Sequence, residues 1–333
     1  MTEYADAGVS IDEGNRAVKL MAEAVASTNT DAVLSDLGAF GGLFSTAGLA
    51  GDAVLVASTD GVGTKVELAA RHGGWRGVGA DLVNHCVDDI LVQGARPLFF
   101  LDYIATAKLV PEIVAEIVTG MAGACRSVGC ALLGGETAEM PGVYTEGSVD
   151  IAGTIVGSVS QAELWPRTDA LMAGDVLIGM ASDSPHTNGY SLIRLLLDRH
   201  EPTAEMLEWL LTPHRSYLGD VDALRAAGVE PKALAHITGG GFLENIPRVL
   251  PSGLGASIDL GSWDVPAGFR TLVEWGDIAD GEAFRTWNMG IGMVVAVAAD
   301  QVEAAIGLGH PLIGTLVAVD EGADRVRLVG DWR

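Results

Sequence analysis

Short apolar runs that end in glycine or acidic residues alternate with helix-like segments along this whole chain. The run 53–57 leads through a glycine turn into the helix-like segment 66–70, and the run 97–105 precedes a second such segment, 111–128. The latter begins with proline, which the first turn of a helix tolerates well. Similar apolar runs recur in the second half, at 175–181, 233–237, 255–260, 292–298, 312–319 and 325–329. The alternation predicts a mixed α/β (α+β) fold.

The length predicts two domains. A chain of 333 residues exceeds the usual size of one domain, and 49% hydrophobic residues suffice for two cores. Residues 160–174 are polar, contain Pro166 and show little periodicity, so the boundary is expected there. The predicted domains are residues 1–162 and 163–333.

Composition excludes several classes of protein. A net charge of −24 argues against a nucleic-acid-binding surface. No apolar stretch of about 20 residues is present that could span a membrane. The first six residues lack the features of a signal peptide, so the expected location is cytoplasmic. The 3 cysteines have no C-x-x-C spacing, which disfavours a zinc site and indicates core residues.

The segment 58–65 concentrates groups that can bind a phosphate and a metal ion. It contains a carboxylate, two glycines, a hydroxyl and an ammonium group, at Asp60, Gly61, Gly63, Thr64 and Lys65. Glycines allow backbone N–H groups to approach a phosphate, and a helix N-terminus favours negative charge. The spacing is not that of a Walker A loop. The alternative is a structural Asp-Gly turn before a helix.

Further carboxylates lie in the segment 81–93 and after the run 131–133. On a helical wheel Asp81, His85 and Asp88 lie opposite the apolar face, with Asp89 at the border. Together with Asp60 they could hold a hard cation such as Mg²⁺, or they could form a solvated acidic face. Glu136 follows two glycines at an expected strand end and could be another ligand. A β-bulge and a capped turn are the alternative there.

Two loops of the second half carry polar groups suited to anion binding. His186 lies in the polar turn 182–191. The residues of this turn are compatible with a role of His186 in proton transfer and also with an ordinary surface position. His236 precedes the glycines 239–241, which could cradle a phosphate or serve as a flexible linker. Neither G-x-S-x-G nor H-E-x-x-H occurs, which disfavours a serine hydrolase or a zinc protease.

The order of these motifs closely resembles that of the phosphoribosylformylglycinamidine cyclo-ligase (AIR synthetase) family. The resemblance covers essentially the whole chain. It rests on segments 6–15, 59–65, 92–95, 97–103, 134–141, 184–191, 236–242, 244–251 and 288–293.

The resemblance implies a reaction and an architecture. The family uses ATP to convert formylglycinamidine ribonucleotide into aminoimidazole ribonucleotide, ADP and phosphate. The formyl amide oxygen is phosphorylated, and the amidine nitrogen then closes the ring. The resemblance also implies Mg²⁺, a homodimer in which N-terminal strands of both subunits share a barrel, and an ATP-binding N-terminal domain. A small-molecule substrate is expected, without nucleic acid or membrane.

The resemblance also implies residue roles. Asp60, Lys65 and His186 would be catalytic. The metal ligands would be Asp60, Asp89 and Glu136, with Asp81 in reserve. ATP would contact Gly61, Gly63, Thr64, Lys65 and Glu136 beneath a flap containing Gly38, Gly41 and Gly42. The substrate would contact His186, Asn188, Gly239, Gly240 and Gly241.

Three positions depart from the family pattern. Asp88 stands where asparagine is frequent, Met289 where cysteine is frequent, and the uncharged or acidic residues 26–31 where basic residues are frequent. The last departure argues against a contact between ATP and a basic side chain before the glycine flap.

Two other functions remain open alternatives. One is another enzyme of the same superfamily, such as selenophosphate synthetase, thiamine-monophosphate kinase or the hydrogenase maturation protein. No cysteine precedes Cys86 and none lies at the C-terminus, which disfavours the first and the third. The other alternative is a non-catalytic ATP-binding scaffold, which the presence of Asp60, Lys65, Asp89 and Glu136 disfavours.

Overall fold

The computed structural model describes residues 11–35 and 42–333. This part of the chain forms two compact units. The first contains the described residues up to Ile90 together with Ala95–Gln161, and the second contains Leu91–Gly94 and Ala162–Arg333. Both combine helices with a sheet, so the predicted mixed α/β class is confirmed. Among the described helices, none combines the length and apolar character that crossing a membrane requires.

The first unit contains four strands and four helices among its described residues. In chain order they are α1 (Ile11–Ala26), β1 (Ala53–Gly61), α2 (Lys65–His72), α3 (Trp75–Leu91), β2 (Arg96–Thr106), α4 (Pro111–Ser127), β3 (Ala131–Glu139) and β4 (Val149–Ser160). The strand order in the sheet is β1-β4-β2-β3. Only the β2–β3 pair among these is parallel.

Helices cover one face of this sheet. Every second residue of β4 from Ile151 to Val159 is buried, as expected for a strand with one face in a core. Helices α3 and α4 can approach closely because Gly79 has no side chain. A Cβ at this position would lie 2.0 Å from the carbonyl oxygen of Ile117. The carbonyl of Gly153 accepts a hydrogen bond from Cys86 of α3 at 3.8 Å. The helical layer therefore reaches the centre of the sheet.

The opposite face of the sheet is partly open. Leu55 is 60% exposed, and Ala57 and Thr59, which follow on the same face of β1, are also exposed. Leu101 and Tyr103 of β2 are half-buried on that face. A sheet face with apolar side chains left accessible is a candidate contact surface.

Two predicted turns lie within strands. Asp60 was expected in the turn after a strand, but it pairs with Gly153 inside β1. The segment 134–136 was expected after a strand end, but it continues β3 alongside β2. In both cases pairing with a neighbouring strand overrides the local preference of glycine and acidic residues for turns.

The second unit contains a six-stranded sheet. Its strands are β5 (Val176–Ala181), β6 (Ala233–His236), β7 (Leu254–Asp259), β8 (Ile291–Val297), β9 (Leu312–Ala318) and β10 (Val326–Val329), in the order β10-β7-β9-β5-β8-β6. Its helices are α5 (Tyr190–Leu197), α6 (Ala204–Leu211), α7 (Leu218–Ala226), α8 (Gly241–Asn245), α9 (Ala267–Gly276), α10 (Asp280–Thr286) and α11 (Val302–Gly307). Strand β8 is buried along its whole length.

One arginine ties the loop before β7 to the start of β10. The guanidinium group of Arg325 donates hydrogen bonds to the carbonyls of Pro247, Leu250, Pro251 and Leu254 at 2.7–3.1 Å. Lysine cannot reproduce this planar arrangement of donors. Arg325→Lys should therefore lower the free energy of unfolding by about 2 kcal/mol, the scale of lost hydrogen bonds to a charged group.

Chemical denaturation of the two variants Arg325→Lys and Arg327→Lys measures this effect. Arg327 lies two residues further along the same chain segment, is exposed, and serves as the matched control. Equal stability of both variants would mean that the carbonyl contacts of Arg325 contribute nothing measurable.

Candidate functional site

Two carboxylates and a histidine form a cluster in the first unit. Asp60 of β1 and His85 and Asp89 of α3 place one ligand atom each within 4.8 Å of one another. The Nε2 atom of His85 lies 2.9 Å from Asp60 Oδ2 and 3.9 Å from Asp89 Oδ2. Ser58 donates a hydrogen bond to Asp89 at 3.0 Å, and the N–H of Gly61 donates one to Asp60 at 2.6 Å. Asp60, His85 and Asp89 are thus brought into one site, although 24 residues separate Asp60 from His85 in the sequence.

The cluster stabilises its charged forms. Burial acts to raise the pKa of Asp60, but the hydrogen bond and charge of His85 outweigh it, so this pKa lies below its usual range. Burial acts to lower the pKa of His85, but Asp60 and the nearby Asp89 carboxylate outweigh it and raise this pKa. Asp60 remains partly accessible, with 47% of its side chain exposed. A negatively charged, solvent-accessible carboxylate is what a cation site requires.

The donor set fits Mg²⁺. Mg²⁺ uses one or two protein carboxylates and completes its shell with water and substrate phosphates. Asp60 and Asp89 supply those carboxylates. An imidazole is a softer ligand than a carboxylate, and His85 already contacts Asp60. His85 is therefore suited to orienting the Asp60 carboxylate rather than to binding the metal ion itself.

The polar face of α3 is buried, which excludes its interpretation as a solvated acidic face. Asp81 and Asp88 have no exposed surface, and His85 is 3% exposed. Asp81 forms an ion pair with Lys65, whose Nζ lies 2.9 Å from its carboxylate oxygens. Burial is the largest influence on Lys65 and lowers its pKa, although Asp81 opposes this. In this conformation the ammonium group of Lys65 contacts Asp81 rather than solvent.

Glu136 lies away from the Asp60 cluster. Across the four neighbouring strands, Asp60 pairs with Gly153, Gly153 with Asp102, and Asp102 with Gly135. These four residues therefore share a face of the sheet. Glu136 follows Gly135 and consequently points to the opposite, partly open face. It also lies on β3, three strand spacings from β1, or about 14 Å. Within one chain Glu136 cannot share a metal ion with Asp60.

Three of the other predicted nucleotide contacts, Gly61, Gly63 and Thr64, lie at or just after the end of β1. Gly61 is the last residue of this strand, Gly63 has a φ of 63°, and Thr64 directly precedes α2. Gly42 is exposed. The predicted flap residues Gly38 and Gly41 lie outside the described residues.

A half-buried carboxyl, that of Asp102, lies in the same row of the sheet as Asp60. Asp102 shares its face of β2 with the fully buried Phe100 and Ile104, and burial raises its pKa to about 7. The folded state therefore holds this proton more tightly than the unfolded chain does. The resulting stability is fully present below the unfolded pKa of about 3.9 and is lost as the pH rises through about 7.

Asp102→Asn should accordingly gain stability relative to the wild type as the pH rises from about 5 to 8. Chemical denaturation at both pH values checks this, with Asp150→Asn, an exposed carboxyl of the same sheet, as the control. A stability difference that does not change with pH would show that Asp102 does not titrate in this range.

Two of the predicted substrate residues, His186 and Asn188, lie in a loop that is hydrogen-bonded to the loop around Asn288. Ser182 donates a hydrogen bond to Asn288 at 2.8 Å, and Asn288 donates one to the carbonyl of Ser184 at 2.9 Å. His186 and Met289, one in each loop, have positive φ angles of 60° and 46°. Non-glycine residues adopt this conformation mainly where surrounding contacts enforce it, often at functional sites.

His186 belongs to a group of aromatic side chains. Its ring stacks on that of His214, with centroids 3.9 Å apart, and His214 in turn contacts the edge of His236 at 5.1 Å. Tyr217 Oη lies 3.4 Å from Nε2 of His186. All four residues are buried. His214 and Tyr217 were missed by sequence reasoning because no glycine turn or acidic motif marks the segment that carries them.

The glycine turn 239–241 lies beside Asn188. A Cβ at Gly239 would lie 3.4 Å from the side-chain oxygen of Asn188. Asn245 donates hydrogen bonds to the carbonyls of Thr238, Gly239 and Gly241 at 2.9–3.3 Å. These carbonyls are thereby held toward Asn245. Successive backbone N–H groups of a turn with left-handed residues can form a concave anion site.

Comparisons with known proteins agree with these motifs. The model of the AIR synthase related protein N-terminal domain matches residues 45–159, and that of the C-terminal domain matches residues 172–323. The fold is similar to that of E. coli HypE, with a TM-score of 0.71, 23% identity, and coverage of 95% of this chain and 94% of the other. These matches define the class as AIR synthase related proteins.

Curated relatives narrow this class. The phosphoribosylformylglycinamidine cyclo-ligase of Geobacillus sp. (strain WCH70) is 48% identical over 331 residues, which cover 96% of this chain and 93% of the relative. That of Trichlorobacter lovleyi is also 48% identical, with 96% and 95% coverage. The chain belongs to the phosphoribosylformylglycinamidine cyclo-ligase family.

Proposed function

We propose that this protein is an ATP-dependent cyclo-ligase that closes the imidazole ring of formylglycinamidine ribonucleotide in purine biosynthesis. The products are aminoimidazole ribonucleotide, ADP and phosphate. Phosphorylation converts the formyl amide oxygen into a good leaving group, and the amidine nitrogen then displaces it as phosphate. The protein's contribution is to position the reactants and to stabilise charge.

The observation that carries this proposal is the Asp60–His85–Asp89 cluster at the end of β1. Asp60 and Asp89 would hold Mg²⁺, which would neutralise the ATP phosphates during transfer. His85 and Ser58 would keep the two carboxylates in place through the contacts described above. The glycines 61 and 63 and Thr64 would contact phosphates at the adjoining turn. Lys65 would not contact the phosphates directly and would instead support the site through its ion pair with Asp81.

The second unit would bind the phosphoribosyl substrate. Asn188 and the glycine turn 239–241 lie together and would contact its phosphate and ribose groups. His186 is held nearby in a constrained backbone conformation, and its imidazole would transfer a proton during ring closure.

We propose a homodimer formed through the partly open face of the first sheet. Leu55, Leu101 and Tyr103 leave apolar surface accessible there. Glu136 points to the same face, so in a dimer it would lie near the partner and could contact a nucleotide at the interface.

The 3 buried free cysteines support a cytoplasmic location, since thiols persist in a reducing compartment.

A product assay tests the reaction. Purified protein with Mg²⁺, ATP and formylglycinamidine ribonucleotide should form ADP and the aminoimidazole product in equal amounts. ADP without the imidazole would indicate a different phosphoryl acceptor. Neither product, from folded protein that binds ATP, would support a non-catalytic ATP-binding protein.

A further inference from the structure

An exposed arginine lies directly beside the glycine turn 239–241. A Cβ at Gly241 would overlap the carbonyl oxygen of Phe284 and would lie 3.0 Å from the Cα of Arg285. The predicted substrate residues and the loop around Asn288 lie in the segments 182–191, 236–245 and 284–293. Arg285 is the only lysine or arginine in these segments. An anionic group bound at the turn would therefore depend on Arg285 for a neutralising side chain.

A glutamate holds the guanidinium group of Arg285 by one nitrogen. Nε of Arg285 donates a hydrogen bond to Oε1 of Glu244 at 2.8 Å, and the two side chains are 60% and 47% exposed. Within the part of the chain that the structure describes, this is the only hydrogen bond of the Arg285 side chain. The N–H donors of both Nη atoms therefore remain available to a ligand. A guanidinium group can bind a phosphate through two such parallel hydrogen bonds.

Glu244 also explains why an anion at this turn requires Arg285. A Cβ at Gly240 would lie 2.9 Å from Oε2 of Glu244, so the carboxylate lies against the turn. Alone, this charge would repel a phosphate, but its ion pair with Arg285 offsets the repulsion. Among the described residues, none accepts a hydrogen bond from the backbone N–H of Gly239 or Gly240. Two backbone donors and the guanidinium group thus lie together without a shared partner.

We infer that Arg285 binds the phosphate of the phosphoribosyl substrate through its Nη atoms, together with the N–H groups of Gly239 and Gly240. Glu244 orients the guanidinium group through Nε. This inference rests on the proposed function, which supplies a ribonucleotide as the substrate. The phosphate is remote from the ring that closes and is bound equally before and during the reaction. Arg285 therefore contributes to affinity rather than to the rate of the chemical step.

The affinity for substrate with and without its phosphate measures this contribution. Formylglycinamidine ribonucleotide and the corresponding ribonucleoside are titrated by calorimetry into protein that holds Mg²⁺ and a non-hydrolysable ATP analogue. The wild type should bind the ribonucleotide more tightly than the ribonucleoside. In Arg285→Met the affinity for the ribonucleotide should fall roughly 10- to 100-fold, the effect of a lost charge-assisted phosphate contact. The affinity for the ribonucleoside should not change. In the product assay KM should rise with little change in kcat.

Two further variants are the controls. Arg225→Met removes an arginine of α7 that also pairs with a carboxylate, that of Glu163 at 3.0 Å, and it should bind both ligands as the wild type does. Glu244→Gln removes the negative charge beside the turn but keeps an oxygen that can accept from Nε of Arg285. Its affinity for the ribonucleotide should be equal to that of the wild type or higher. All three variants should fold, because ion pairs at the surface contribute little to stability.

The outcomes separate this inference from the proposed reaction. If the wild type forms the imidazole product and Arg285→Met binds the ribonucleotide as tightly as the wild type, the inference is overturned and the reaction stands. If Arg285→Met loses only the phosphate-dependent affinity but the wild type forms no imidazole product, the role of Arg285 stands and the reaction fails. Equal losses of affinity for both ligands would indicate a structural role and overturn the inference. A wild type that binds neither ligand, or both equally, would also overturn it.

Discussion

Asp60→Asn should reduce kcat of the ring-closing reaction by at least about 10³-fold, because it removes the accessible charged ligand of the proposed cation site. Asparagine has nearly the same shape and can still accept the hydrogen bond from the N–H of Gly61. The fold should therefore persist, with thermal unfolding close to that of the wild type. Affinity for Mn²⁺, measured by electron paramagnetic resonance with a non-hydrolysable ATP analogue, should fall at least about tenfold.

Asp52→Asn is the matched control for this experiment. Asp52 is exposed, directly precedes β1 and accepts a hydrogen bond from Ser160, away from the cluster. Its substitution should leave both kcat and Mn²⁺ affinity near the wild-type values. Wild-type activity in Asp60→Asn would show that Asp60 is not a metal ligand, and other carboxylates would then have to hold the ion.

Lys65→Met should destabilise the first unit by about 3–5 kcal/mol, the usual effect of removing one partner of a buried ion pair. Both Lys65 and Asp81 are fully buried, so the substitution would leave the Asp81 charge in the core without the lysine that pairs with it. The double variant Lys65→Met/Asp81→Leu should be more stable than Lys65→Met, since it removes the charge that was left behind. Chemical denaturation and hydrogen exchange of peptides from α2 and α3 measure this.

Lys108→Met controls for the loss of a lysine as such. Lys108 is exposed in the same unit, and its substitution should change stability little. The double variant also separates two roles of Lys65. If Lys65 acts only by organising the unit, the folded double variant should still bind ATP. A selective loss of ATP affinity in that variant would mean that the ammonium group reaches a phosphate, against the buried position described here.

Several elements could be predicted because their signals are local. The apolar runs predicted where the strands they mark begin to within one residue, as with 97–105 for β2, which spans Arg96–Thr106. Proline at position 111 marked the first residue of α4. The ordered series of motifs was sufficient to identify the family, since those motifs depend on residue type and spacing alone.

Other features depended on which strands pair. The turn-forming residues at 60 and 134–136 belong to strands because β4 and β2 supply their hydrogen-bond partners. Strand order and alternation then separate Glu136 from Asp60, although the sequence placed both after glycine-rich strand ends. Local sequence contains neither the order of strands in a sheet nor the face to which a side chain points.

The sequence by itself determined the kinds of element, the family and the residue types available for phosphate and metal chemistry. Only the tertiary structure decided how these residues combine: Asp60 with His85 and Asp89, Lys65 with Asp81, and His186 with His214 and Tyr217. The physical reason is burial. A helix face of charged residues can be solvated or can enter a core, and only packed neighbours determine which charges are paired and which remain accessible to a ligand.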